Sequence, residues 1–328
     1  MKKKTVIRII EWIILIPLSC AAYHYTLSET GHYIENTIEI PHGNIVHVDM
    51  RTDNNIKNGS PEHPFKNIND AIDFFENNDS YKTILVRPGE YNETLELPDD
   101  IAIIGLEGRA IIKNPATGNN KTVTAGNNIF LANLELTQGK YGLFIPVDRS
   151  VTLYNVAVTH SSKWGIYNEK HSSIDSGKLA MVNSQVNCSA RQGLYLQQGT
   201  FYMNNSKVSE NGEEGIDLHI KMRSVIKNSE IIKNGEGGIE TELGENNLVV
   251  ESTVIKENGS SGINLQSFEE DATIVIRDDL IKDNTDFGVR CAIHSKIKSP
   301  YFSKMINFEG INRIYKNGKD RIDPNCLR

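Results

Sequence analysis

Residues 214–224 read EGIDLHIKMRS. From Ile216 to Arg223 apolar and ionisable side chains alternate without a miss: Ile216, Leu218, Ile220 and Met222 against Asp217, His219, Lys221 and Arg223. Successive residues of a strand point to opposite faces, so this is a strand with one buried side and one wet side. Its neighbours make it part of a series. YGLFIP, WGIYNE, QGLYLQ, GGIETE, SGINLQ and FGVRCA carry the same glycine followed by a branched aliphatic residue. The seven glycines, Gly142, Gly165, Gly193, Gly215, Gly238, Gly262 and Gly288, are 23, 28, 22, 23, 24 and 26 residues apart. Such a period marks a solenoid.

Between the glycines lie FYMNNSKVSENG, VIKNSEIIKNG, LVVESTVIKENG and IVIRDDLIKDN, short alternating runs that end in Asn or Asn-Gly. Asn tolerates the left-handed backbone of a sharp corner, so Asn211, Asn234, Asn258 and Asn284 are expected there. Nothing in the unit is long enough for a helix, and two or three short strands per turn predict an all-β, parallel β-helix whose coils pair at about 4.8 Å. The residue after each glycine is aliphatic in all seven units (Leu143, Ile166, Leu194, Ile216, Ile239, Ile263 and Val289), as an inward column requires.

Upstream the style changes. Ile68, Ala71, Ile72 and Phe75 stand at helical spacing behind Asn67 and Asn69 as candidate caps. A short N-terminal helix there would plug the open end of the cylinder. The first 22 residues join a basic start, MKKK, to an apolar run from Trp12 to Ala22, which predicts a signal peptide or N-terminal anchor attaching the chain to a membrane. A linker over 23–45 and a solenoid over 46–328 complete the expected organisation. The charge balance, 35 Lys+Arg against 42 Asp+Glu, and the lack of a long basic run argue against nucleic acid as a partner. Beyond the leader, Cys188, Cys291 and Cys326 show no paired spacing, so Cys188 and Cys291 are expected to be small buried hydrophobes and neither a disulfide framework nor a zinc pattern is expected.

GSPEHPFKNINDAI, then ILVRPGEYNETLELPDDIAIIGLEG, then the glycine coils resemble the right-handed single-stranded parallel β-helix proteins of the pectate-lyase-like superfamily. The resemblance implies that fold from about Val46 onward. For activity it leaves lyases, glycoside hydrolases, uronate epimerases and non-catalytic carbohydrate binders open.

Chemistry is expected on the outward face of the glycine strand. Two places after each glycine come Phe144, Tyr167, Tyr195, Asp217, Glu240, Asn264 and Arg290; four places after come Pro146, Glu169, Gln197, His219, Glu242, Gln266 and Ala292. Aromatic rings could stack on sugars, amides bracket hydroxyls, and a central acid–histidine group move protons. Asp217 and His219 share one face of the strand. GIDLH is similar to the G-[IF]-D-P-H core of mannuronan C5-epimerases, which implies catalytic roles for Asp217 and His219. Leu218 replaces that family's Pro, and Glu214 stands where its Tyr would be, so Tyr195, one coil away, is the expected substitute. Lys221, Arg223 or Arg290 would neutralise the carboxylate of a uronate whose C5 proton is taken, although Lys221 and Arg223 fall where other coils bend. The expectation is a secreted or periplasmic protein handling polysaccharide, acidic if it is a lyase or epimerase. The alternatives are a hydrolase using Asp217 and Glu240, and a non-catalytic glycan binder or surface scaffold. The carboxylates of Glu214, Asp217, Glu240 and Glu242 would also suit a hard cation such as Ca2+. Asp278 and Asp279 align with the second strand and are expected to be structural.

Overall fold

The computed structural model describes residues 23–27, 33–37, 44–53, 56–75, 82–115, 120–170, 177–219, 221–267, 272–293 and 301–328; the expected leader, 1–22, lies outside them. The chain divides into two units, Met1–Pro41 and His42–Arg328. In the first, Tyr23–Leu27 pairs antiparallel with Tyr33–Thr37, within the span read as a linker.

The second unit is the solenoid. Each coil gives one strand to each of three parallel sheets of eleven, ten and nine strands. The coil that holds EGIDLH runs from Gly199–Asn204 in the first sheet through Lys207–Ser209 in the second to Ile216–Leu218 in the third. The third sheet carries the glycine strands. Its inward column is fully excluded from solvent, with Leu143, Ile166, Leu194, Ile216, Ile239, Ile263 and Val289 all at 0% exposure. Burying each such side chain contributes roughly 1.5–3 kcal/mol, and the column repeats that gain coil after coil.

The repeated glycine is explained by backbone proximity. A Cβ on Gly215 would stand 2.8 Å from the carbonyl oxygen of Gly238, and one on Gly238 would stand 2.6 Å from that of Gly262. No side chain fits where successive coils bend this closely.

The corners differ in detail from the sequence expectation. Asn211, Asn234, Asn258 and Asn284 stand at the corner before the third sheet, but the residues preceding the last three of them, Lys233, Glu257 and Asp283, and Glu210 before the first, take the positive φ. The asparagines turn inward instead, where Asn211 Nδ2 donates to Asn234 Oδ1 (2.9 Å), Asn234 Nδ2 to Asn258 Oδ1 (3.0 Å), Asn258 Nδ2 to Asn284 Oδ1 (2.9 Å) and Asn284 Nδ2 to Asn317 Oδ1 (3.0 Å). A buried amide needs every partner it can find, and a column of identical amides supplies them. A second column holds the preceding corner: the backbone N–H groups of Ser184, Ser206, Ser229 and Thr253 donate to Ser206 Oγ, Ser229 Oγ, Thr253 Oγ1 and Asp279 Oδ1. Asp279 is thus a rung of this ladder, and its burial pushes its carboxyl up to about 7.

Both ends are closed. The helix Ile68–Asp73 buries Ile68, Ala71 and Ile72 against the first strands. Its N-terminus is capped by Glu93, which accepts from the N–H groups of Ile68 and Asn69 at 2.9 Å each; Asn67 makes no capping bond. At the other end the helix Phe302–Met305 and the 3-10 turn Pro324–Leu327 cover the last coil. There Cys291 and Cys326 form a disulfide with Cα atoms 5.2 Å apart, which corrects the expectation of free, buried thiols. The terminal segment folds back onto the last glycine strand, so the partner of Cys291 comes from the cap. Cys188 is free and only half-buried, because it occupies a left-handed corner.

Candidate functional site

The outward stripe expected from the repeat is a real column. In the third sheet Phe144 pairs with Tyr167, Tyr167 with Tyr195, Tyr195 with Asp217, Asp217 with Glu240, Glu240 with Asn264, and Asn264 with Arg290. Glu242 and Gln266 stand side by side in the parallel column. Coil stacking sets these neighbours at about 4.8 Å.

A third column borders them, one the alternating pattern does not reveal. The glycine bend interrupts strict alternation, so the residue before the glycine reaches the same face: Tyr141, Trp164, Gln192 and Glu214. Trp164 Nε1 donates to Gln192 Oε1 (2.7 Å), and Gln192 Nε2 donates to Glu214 Oε2 (3.0 Å). Glu214 is 7% exposed and hydrogen-bonded to Glu236 of the next coil. Two carboxyl groups in contact share a proton, and burial with that contact pushes Glu214 up to about 8. The sequence signal was present as Tyr, Trp, Gln and Glu in one register.

The rings form a ladder. Trp164 stacks on Tyr167 (4.9 Å, 20°) and on Tyr195 (5.0 Å, 28°), and Tyr167 on Tyr195 (5.7 Å, 10°). Each face is covered in part by its neighbour, so the rings stack on one another along the column. Gln197 Nε2 donates to Tyr167 Oη at 2.6 Å. Burial, then the charge of Asp217, pushes the Tyr195 hydroxyl up to about 12, which keeps it a phenol.

The ladder ends on His219, whose ring meets Tyr195 edge-on at 4.7 Å. Nδ1 of His219 lies 3.2 Å from Glu242 Oε2, and Nε2 lies 3.8 Å from Asp217 Oδ2. Burial pulls this imidazole down, but the hydrogen bond to Glu242 and the charge of Asp217 outweigh it and the net shift is upward. Asp217, 7% exposed, is pushed up to about 7 by burial, against the opposing charge of His219 and with Glu240 and Glu242 adding repulsion. Glu240 accepts from Asn264 Nδ2 at 2.5 Å. The centre therefore holds two protonatable acids, Glu214 and Asp217, beside an imidazole fixed by a carboxylate.

Most of the sequence-predicted residues come together: Tyr167, Tyr195, Gln197, Asp217, His219, Glu240, Glu242, Asn264, Gln266 and Arg290 share the third sheet's outer face. Lys221 does not. It sits at the following corner with φ +64, and its ammonium pairs with Glu245 at 3.1 Å. Arg223 belongs to the first sheet, paired with Thr200 and Asn247. Of the three expected cations only Arg290 remains on the stripe, two coils beyond Glu240. Among the described residues no three His, Cys, Asp or Glu side chains are grouped so as to hold a metal ion.

The profile of the family described as "Right handed beta helix region" matches residues 116–307. No curated protein matches the chain. Among solved structures the chain is similar to pectate lyase Pel9A (TM-score 0.63, 18% identity, covering 85% of this chain and 78% of that one). It is similar also to a mutant of the periplasmic alginate epimerase AlgG (0.50, 12%, 74% and 74%). A third is the A-module of the mannuronan C-5 epimerase AlgE4 from Azotobacter vinelandii (0.46, 16%, 74% and 88%).

Proposed function

The chain belongs to the right-handed β-helix family, and from that premise we propose that it acts on an acidic polysaccharide, taking the C5 proton of a uronate residue as a lyase or a C5-epimerase. The observation that carries this reading is the geometry of one half-buried centre: His219 clamped by Glu242, next to Asp217 and Glu214, whose carboxyls burial raises toward neutral pH. The C5 proton becomes acidic once the neighbouring carboxylate is neutralised. With Lys221 and Arg223 elsewhere, the O–H of Asp217 takes that task as a hydrogen-bond donor. Neutral His219 accepts the C5 proton on Nε2, while Glu242 holds Nδ1 and stabilises the imidazolium that forms. Glu214 supplies the second proton. In elimination it goes to the C4 leaving oxygen as the C4–O bond breaks and the C4–C5 double bond forms; in epimerisation it returns to C5 from the opposite side. The likeness to a pectate lyase and to a periplasmic alginate epimerase supports polysaccharide as substrate and a place outside the cytoplasm. Among the described residues no helix is long and apolar enough to cross a membrane.

The test is a panel of uronate polymers incubated in deuterated water with the wild type and with His219→Ala. Ultraviolet absorbance of unsaturated ends reports elimination, and deuterium at C5 reports epimerisation. His219→Ala is expected to reduce either by roughly 10²–10⁴-fold, the range for loss of a general base. No turnover of any uronate polymer, or full turnover by His219→Ala, overturns the proposal.

One observation favours a second reading, hydrolysis. Asp217, whose carboxyl is raised to about 7, stacks in register on Glu240, and an acid facing a carboxylate at roughly 5 Å is the arrangement of a retaining glycosidase. New reducing ends without ultraviolet absorbance would select it.

A further inference from the structure

Beside the three columns of the stripe runs a fourth, two residues before each glycine: Lys140, Lys163, Arg191, Glu213 and Glu236, then Ser260 and Asp286. It is a continuous backbone ladder, in which the N–H of Lys163 donates to Lys140 O (3.1 Å), that of Arg191 to Lys163 O (2.9 Å), that of Glu213 to Arg191 O (3.4 Å) and that of Glu236 to Glu213 O (3.1 Å). Three cations are thus set one per coil, followed by two carboxylates. The change of sign falls at the coil that carries Asp217 and His219.

The cations are held in place. The Lys163 ammonium lies 3.4 Å from the centre of the Trp164 ring, and that of Lys140 lies 5.2 Å from that of Tyr141, so the aromatic ladder holds the charges at its edge. Arg191 pairs with Glu213 at 3.7 Å across exposed surface; among the described residues no carboxylate pairs with Lys140 or Lys163. Three stacked cations repel one another. Lys163 shows it: burial first, then Lys140 and Arg191, hold its pKa below the ordinary lysine value. A bound row of anions would relieve that repulsion.

We propose that Lys140, Lys163 and Arg191 form a rail for the carboxylates of consecutive uronate residues, and that the sign change at Glu213 makes the reacting residue the end of the anionic chain. The coil rise of about 4.8 Å is close to the length of one hexose in an extended polymer, so one carboxylate meets one cation per coil. Past the centre the column turns to Glu213 and Glu236 and offers no cation, so a further carboxylate finds no partner in it. The substrate is an acidic chain worked on from its end. This inference rests on the proposed function and deepens it.

The experiment has two arms. Binding of a uronate hexamer and of its carboxyl-reduced, neutral counterpart is measured by calorimetry for the wild type, His219→Ala and Lys140→Ala/Lys163→Ala, with circular dichroism as a check on folding and Lys140→Gln/Lys163→Gln as a second, isosteric removal of charge. The wild type is expected to bind the acidic hexamer and to bind the neutral one poorly, and His219→Ala, which cannot turn the hexamer over, is expected to keep that preference for the acidic one. Removing two lysines is expected to weaken acidic binding by about tenfold, an effect that shrinks as salt rises. The second arm follows early products from a long polymer, or the position of deuterium where no cleavage occurs; single residues released or labelled at the chain end are expected. Lysine variants that bind within about twofold of the wild type, or products spread along the chain from the start, overturn the rail. Turnover with unchanged lysine-variant binding overturns the rail alone, whereas a wild type that binds the hexamer through the lysines without turning it over overturns only the proposed reaction.

Discussion

Glu242 holds His219 by its near nitrogen: the 3.2 Å contact is to Nδ1, and Nε2 lies 3.8 Å from Asp217. A base so held is oriented and made more basic by one neighbour, and both effects are removable together.

Glu242→Gln is expected to lower the His219 pKa, because the mutation removes the charge that raises it and leaves burial opposed only by Asp217 and Glu240. A general base works when deprotonated, so the acidic limb of the pH–rate profile should move to lower pH. An NMR titration of the imidazole read beside that profile tests it; an unmoved imidazole would show that Glu242 does not set its basicity.

Glu214 and Asp217 have native-state pKa values raised to about 8 and about 7 from 4.5 and 3.8. Between the unfolded and folded values the native state binds more protons than the unfolded one, so their contribution to stability is present at low pH and is lost as pH rises through the folded values. The wild type should therefore lose stability relative to Glu214→Gln between about pH 4.5 and 8. Urea midpoints at the two ends of that window would show it, and parallel curves for the two proteins would refute it.

The inward amide ladder makes a third expectation. Asn234→Ala removes the acceptor of Asn211 Nδ2 and a donor to Asn258 inside the core. A buried polar group left unpaired costs about 1–3 kcal/mol. Chemical denaturation should show a loss of that size with the m-value unchanged, since the coils keep their surface; a loss below about 0.5 kcal/mol would mean that the ladder adds little.

Reducing Cys291–Cys326 reopens a loop with a sequence separation of 35, worth about 3–4 kcal/mol on the chain-entropy account. Thermal unfolding with and without reductant, against Cys326→Ser as control, reads the effect. An identical midpoint would show that the cap closes without its covalent tie.

Much of this was legible from EGIDLH and its six counterparts. The glycine period gave the coils because backbone proximity excludes a side chain there, and the residue two places later gave the outward column because register is inherited from the glycine. Three things were not legible. The Glu214 column lies just before the glycine, where the bend breaks the two-residue period, so parity misplaces it; the cation column keeps parity but lies beyond the strand, outside the glycine motif. Lys221 fits the alternation but belongs to a corner, because the strand Ile216–Leu218 is only three residues long. The cystine was hidden because the repeat ends before Cys326, and the path of the last segment is set by its packing on the final coil. The asparagines were read as corners for the right reason but at the wrong residue, since their amides gain more from the buried ladder than from a left-handed turn.

The amide ladder also has a direction. From Asn211 to Asn284 each Nδ2 donates forward to the asparagine of the next coil and also back, to Val186, Val208, Ile231 and Ile255 O, while Asn317 Nδ2 donates back to Ile281 O at 3.4 Å. During synthesis, then, every newly completed coil carries a donor whose acceptor has not yet been made. Each rung is completed by the coil made after it, so the unsatisfied donor moves along with the growing tip until Asn317 accepts from Asn284 and ends the ladder.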